Sequence, residues 1–238
     1  FDRYIQIARC FRDEDLRADR QPEFTQIDME MSFADEEDII AVNEGFIKRI
    51  FDEFMHMPLE IPFARMTWHE AMERYGSDKP DTRFALELIN ITDAVRDSSF
   101  AVFKNAVAEG GSVRAINVPG GASFSRKEID SLVEYVKTYG ARGLAWSKHA
   151  ADAVSSSFAK FLTEDELKAI TDITGTGEGD LLLIVAAKNK VVFDSLGALR
   201  CEVARRMGLI DKTKFNFLWI TEFPLFEYSE EEGRYMAK

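Results

Sequence analysis

From Gln26 to Phe33 polar and apolar residues alternate without a break, with Gln26, Asp28, Glu30 and Ser32 on one side and Ile27, Met29, Met31 and Phe33 on the other. Successive side chains of a strand point to opposite faces, so this period commits the segment to a β-strand with one polar face. Tyr4 to Arg12 also has strand character, with imperfect alternation, and a charged stretch from Asp13 to Glu23 containing Gln21-Pro22 joins the two. Two strands joined by one loop predict an antiparallel hairpin. Its polar face meets either water or a polar ligand.

The rest of the chain carries clear punctuation. Asp35 to Phe54 places Ile39, Ile40, Phe46, Ile47, Ile50, Phe51 and Phe54 at helical spacing, and Asp35 to Asp38 suit the positive end of that helix. Pro58 and Pro62 mark a connector. Thr67 to Glu70 reads as a capping box opening a short helix that Gly76 closes. Beyond the GSDKPD turn at Gly76 to Asp81 the texture becomes a denser α/β alternation. Short strands are expected at Phe100–Phe103, Val113–Val118, Leu144–Ser147, Leu181–Ala186 and Phe217–Phe223. Helices are expected after Ser125 and Thr163, each followed three residues on by Glu, and from Ser195 to Met207.

Composition narrows the classes. The 238 residues include 30 Lys plus Arg and 42 Asp plus Glu, a net charge of −12, which argues against a protein that coats nucleic acid by bulk charge. It leaves room for a local basic patch. No run approaches the roughly 20 apolar residues of a membrane span, so no membrane association is expected. Cys10 and Cys201 are too few for a disulfide scaffold or a cysteine-rich zinc site. His56, His69 and His149 are dispersed, so no metal-ligand set is expected. The first residues, FDRYIQIARC, lack a basic and apolar leader, and a cytoplasmic location is the expectation.

The chemistry concentrates in FRDEDLRADRQPEFTQID, Phe11 to Asp28. Arg12 ends one strand and offers a planar fork for phosphate or carboxylate oxygens. Phe24, at the same end, is placed to stack on a planar base. Asp28, deeper in, could take an ammonium group. Together they suit a nucleotide plus an amino acid. A solvated hairpin with surface ion pairs accounts for any one of these residues alone, since such pairs are common and contribute little.

The full string goes further. FRDEDLRADRQPEFTQIDMEMSF resembles motif 2 of the class II aminoacyl-tRNA synthetases, and specifically the bacterial-type aspartyl-tRNA synthetases. The resemblance continues in MTWHEAMERYGSDKPDTRF, VPGGASFSRKEID, YGARGLAW, DSLGALR and WITEFPLFEY, in the family's order and across essentially the whole chain. It implies an α+β fold: part of the antiparallel-sheet catalytic core over residues 1–85, an inserted α/β GAD domain over 86–212, and a return to the core over 213–238.

For single residues the resemblance implies the following. Arg12 matches the arginine that binds the α-phosphate and the activated aspartyl carboxyl. Asp13 and Glu14 sit where the family contacts ATP and the acceptor end of tRNA. Gln21 matches an ATP-contacting glutamine and Phe24 the adenine-stacking phenylalanine. Gln26 and Asp28 lie on the floor of the aspartate site, with Asp28 as the ammonium partner. Arg17 and Arg20 are candidates for the tRNA acceptor stem. ATP is then a substrate with Mg²⁺ on its phosphates. The partners are L-aspartate, tRNA(Asp) and, as a second candidate, tRNA(Asn), in a full-length homodimer.

The chain departs from the family pattern in extent. The anticodon-binding OB-fold, motif 1, the upstream aspartate-recognition loop and motif 3 are not in it, so the reading is a truncated catalytic-core piece, inactive alone. A non-catalytic GAD-type interaction module of an amidotransferase or tRNA-binding assembly is the alternative. An intact Arg12, Gln21 and Phe24 argue against a degenerate remnant. The GAD-like blocks argue against an ammonia-dependent asparagine synthetase. GTGEGD, Gly175 to Asp180, has phosphate-cradle spacing, but it precedes a strand and lacks the Lys-Ser/Thr of a P-loop, so it reads as a turn.

Overall fold

The computed structural model of the chain describes residues 1–13, 20–229 and 232–237. They form two compact units, Phe1–Phe63 and Ala64–Lys238.

In the first unit β1 (Arg3–Phe11) and β2 (Glu23–Met31) form the expected hairpin. Cys10 lies opposite Phe24, Ala8 opposite Gln26 and Gln6 opposite Asp28. Directly opposite residues share a face. One face therefore carries Phe24, Gln26 and Asp28, and the other carries Ile5, Ile7, Ile27 and Met29. The second face is only partly covered: Ile7 is 77% and Ile27 51% exposed.

Helix α1 (Glu36–Ile50) begins at a reciprocal cap in which Asp35 accepts from the Asp38 N–H and Asp38 from the Asp35 N–H. The α-helical bonding stops earlier than the apolar spacing predicts. Phe51–Met55 forms one π-helical turn, closed by His56 at φ 52°. Buried Glu44 then accepts the Phe63 N–H at 2.9 Å, and Lys48 donates to the Leu59 carbonyl at 2.8 Å, which ties the returning connector to α1.

The second unit contains β3 (Ala64–Thr67), α2 (Trp68–Tyr75), β4 (Ile89–Asn90), α3 (Ala101–Ala108), β5 (Ser112–Val118), α4 (Arg126–Lys137) and β6 (Ala145–His149). It continues with β7 (Val154–Ser156), α5 (Glu164–Thr174), β8 (Leu181–Ala187), α6 (Asn189–Met207), β9 (Leu218–Thr221), β10 (Phe226–Ser229) and β11 (Arg234–Ala237). The Ser125–Glu128 and Thr163–Glu166 boxes cap α4 and α5 reciprocally. At α2 only half of the expected box forms: Thr67 accepts from the Glu70 N–H.

Five strands make one sheet in the order β4-β5-β8-β6-β7. The sequence texture of this region led to the expectation of an α/β domain. Every pairing in the sheet is antiparallel, so the alternation of helices and strands is real but the class is α+β throughout. Helices cover both faces. Leu132, Val136, Leu196 and Val203 from α4 and α6 pack on Ile116, Val118, Leu181 and Leu183. Phe103 and Ile170 from α3 and α5 pack on Val113, Ala115, Leu182 and Ile184.

The expected strand at Phe100–Phe103 is instead the start of α3. Phe103 is fully buried and Phe100 rests edge-on against it at 4.8 Å, a pair that either backbone could present to a core.

Two buried arginines fix α2 and its loop to this unit. Arg114 on β5 makes two hydrogen bonds to Glu73 on α2, at 2.7 and 2.9 Å. Arg200 on α6 lies between the rings of Tyr75 and Phe84, 4.9 and 4.3 Å from their centroids, and donates to the Leu86 carbonyl at 3.0 Å. Gly76 and Gly197 let the end of α2 touch α6. A Cβ on Gly76 would sit 2.5 Å from the Phe193 carbonyl oxygen, and Gly76 also holds φ +65°.

Candidate active site

Three of the site residues read from the sequence, Phe24, Gln26 and Asp28, share one face of the hairpin because β2 keeps its period. They alternate with Thr25 and Ile27, which turn to the other face. Arg12 follows the last residue of β1, and its N–H donates to the Pro22 carbonyl at 2.9 Å, which extends the ladder one step past the strand end. The Arg12 guanidinium lies over the Phe24 ring, 5.3 Å from its centroid. It has no ion-pair partner among the described residues. Arg9, on the opposite face, is paired with Glu23.

Asp28 is half-buried, and its carboxylate has no hydrogen-bond or ion-pair partner among the described residues. Six register positions separate the step at Arg12–Pro22 from Asp28. At the rise of a strand that is roughly 20 Å along the face. One end thus offers a guanidinium and an aromatic ring, and the other a carboxylate, a polarity that suits an extended ligand with an anionic and a cationic end.

Gln26 is exposed, and its Oε1 accepts a weak bond from the Cys10 thiol at 3.8 Å. Asp13, Arg20 and Gln21 are exposed at the loop end of the hairpin, and Arg20 has an interaction partner. Glu14 and Arg17 lie outside the described residues. Tyr4 and Gln6 share the Asp28 face, and the Tyr4 hydroxyl donates to Gln6 at 2.6 Å. Sequence reasoning assigned them no role, because the imperfect alternation of β1 hid which of its residues share that face. The register, once known, places Gln6 directly across from Asp28.

Other features resolve into structure. In the GTGEGD segment Asp180 accepts from the Gly177 N–H and from Asn117, both at 3.0 Å, so its own carboxylate occupies the place a phosphate would take. His149 faces Ser147 at 3.0 Å, and burial pushes its pKa below the ordinary histidine value. Cys10 and Cys201 are free thiols. Among the described residues no group of three His, Cys, Asp or Glu could hold a metal ion, and no helix is long and apolar enough to cross a membrane.

An aromatic ring, a strand-end arginine and a carboxylate thus lie along one antiparallel hairpin, within a chain whose family is that of the class II synthetases. The chain belongs to this class: the family described as tRNA synthetases class II (D, K and N) matches residues 1–238. Within it, the chain is 59% identical over 239 residues to the aspartate–tRNA ligase of Ruminiclostridium cellulolyticum, covering 100% of this chain. It is 58% identical over 238 residues, 100% of this chain, to the aspartate–tRNA ligase of Clostridium botulinum. It is 57% identical, again over 100% of the chain, to a protein of Caldanaerobacter subterraneus subsp. tengcongensis named aspartate–tRNA(Asp/Asn) ligase. The chain spans 40% of the length of each of these relatives.

Proposed function

We propose that the chain is the motif 2 and insertion segment of an aspartate–tRNA ligase, which activates L-aspartate with ATP and passes the aspartyl group to tRNA. The observation that carries this reading is the Arg12–Phe24 pair at one end of a hairpin whose Asp28, farther along, has no partner among the described residues. High identity to ligases of that name supports it.

The chemistry follows from charge. An oxygen of the aspartate α-carboxylate attacks the α-phosphorus of ATP. The new O–P bond forms as the bond to the β-phosphate oxygen breaks, and pyrophosphate leaves. Both reactants are anionic, so the site must neutralise charge and hold the attack in line. Arg12 supplies a guanidinium at the pentavalent centre. Phe24 stacks on the adenine, Gln21 and Asp13 contact the nucleotide, and Asp28, with Gln26, receives the ammonium end of aspartate. The tRNA ribose hydroxyl then attacks the activated carbonyl and AMP leaves. Mg²⁺ brought by the ATP phosphates would offset part of their charge. Arg20, with Arg17, faces the acceptor stem in this reading. tRNA(Asp) is the partner, tRNA(Asn) a second one, and the whole enzyme works as a cytoplasmic homodimer.

The domain reading has its own support. β3 and β9 pair in parallel with Ala64 opposite Leu218, so the chain leaves at one strand and returns beside it. Residues 86–212 then form an inserted GAD domain, and 1–85 with 213–238 form parts of the core.

Aspartate-dependent exchange of pyrophosphate into ATP tests the activity in the protein at its relatives' full length. Exchange is expected, and its absence with pure, folded protein would overturn the reading.

A further inference from the structure

A cavity of about 540 Å³ opens in the second unit, lined by none of the hairpin residues assigned above. Its volume falls within the range of small-molecule sites, about 300–1,000 Å³. The lining is mostly apolar, and much of it is small: Ala145 and Ala186 from adjacent strands β6 and β8 sit beside Ile184, where larger side chains would close the space. One wall is held by aromatic contacts. Phe100, in the lining, stacks on Phe161 at 5.0 Å with the rings 6° apart, and meets Phe103 edge-on.

Arg142, exposed at the cavity, is a cation of its lining in a chain of net charge −12; Lys188, also in the lining, has an interaction partner. Arg142 has no ion-pair partner among the described residues. An apolar chamber with a few polar groups at its opening takes an apolar body and fixes it by its charged end.

We propose that this cavity binds a small amphipathic monoanion, its apolar body on the Ala145–Ala186 floor and its carboxylate or sulfonate at Arg142. The site is independent of the ligase reading.

The probe is 8-anilinonaphthalene-1-sulfonate, titrated by fluorescence into the protein at its relatives' full length. Saturable binding is expected, displaced by octanoate and not by octylammonium, which has the same body and the opposite charge. Arg142→Glu should weaken binding tenfold or more. Ala186→Leu should abolish it while the melting temperature holds or rises, because the added side chain fills the space. Should Ala186→Leu fail to fold, the exposed Arg142→Glu variant decides. Unchanged binding in Arg142→Glu, displacement by octylammonium as effective as by octanoate, or no saturable binding would overturn the proposal.

Discussion

The guanidinium of Arg12 lies over the face of Phe24, 5.3 Å from the ring centroid, one residue past the end of β1. The ring therefore does two things. It offers a stacking surface for a base, and it keeps the cation at this end of the face without committing it to a carboxylate. A cation–π contact contributes about 0.5–1 kcal/mol at an exposed site, weak enough for an incoming phosphate to win the guanidinium.

Phe24→Ala should therefore act on ATP more than on aspartate. Base–aromatic stacking is worth about 1–3 kcal/mol, so the KM for ATP should rise about tenfold or more while the KM for aspartate changes little. Phe24→Tyr should retain most of the affinity. Steady-state exchange kinetics with each substrate varied in turn separate the two constants.

Asp28→Asn keeps the shape and removes the charge. A hydrogen bond to a charged group contributes about 1.5–3 kcal/mol, so the KM for aspartate should rise about 10- to 100-fold with the KM for ATP nearly unchanged. Equal effects on both substrates would remove Asp28 from the amino-acid end of the face.

Glu73 and Arg114 carry a different prediction, for stability. The Arg114 side chain is 5% exposed, so Glu73→Ala strands a buried guanidinium. Breaking a buried pair on one side costs about 3–5 kcal/mol, and the partial exposure of Glu73 places this one at the lower end, about 3 kcal/mol. The surface pair Lys190–Asp194 is the control, and Lys190→Ala should stay within about 0.5 kcal/mol. Urea unfolding midpoints compare the two.

Glu202 links stability to acid. Hydrogen bonds from Arg205 and then Arg206, opposed by partial desolvation, hold its carboxyl at a pKa of about 2, below its ordinary value of 4.5. A group depressed in the folded state stabilises fully above its unfolded pKa and loses that contribution as pH falls through its folded value. The window is therefore about pH 5 down to 2. Glu202→Gln should flatten the loss of stability across that window by about 1 kcal/mol, a modest amount because Arg205 faces solvent. Urea midpoints measured from pH 7 to pH 2 for both proteins check it.

Much of this was legible from local rules. The strict period of Gln26–Phe33 determined the face of β2. The Ser125 and Thr163 boxes and the glycine at 76 marked real helix ends, because capping is a contact among residues three or four apart. Elements governed by distant contacts were harder. Phe100–Phe103 is too short for its apolar residues to distinguish helix from strand. The antiparallel order β4-β5-β8-β6-β7 depends on pairings that no local pattern encodes. The clamps of Arg114 and Arg200 join residues 41 and 114 positions apart, and nothing near either arginine announces them. In the site, Phe24, Gln26 and Asp28 could be placed by alternation, whereas Gln6 needed the register of a partner strand whose own pattern is irregular.

The central claim is that Arg12 neutralises charge at the α-phosphorus. Its most direct test is the rate of aspartate-dependent ATP–pyrophosphate exchange for Arg12→Ala in the protein at its relatives' full length, at saturating substrates. Removing one oriented transition-state donor typically costs about 10²–10³ in rate, and a loss of that size, in a protein whose melting temperature is unchanged, is expected. A loss of only a few-fold would contradict the account.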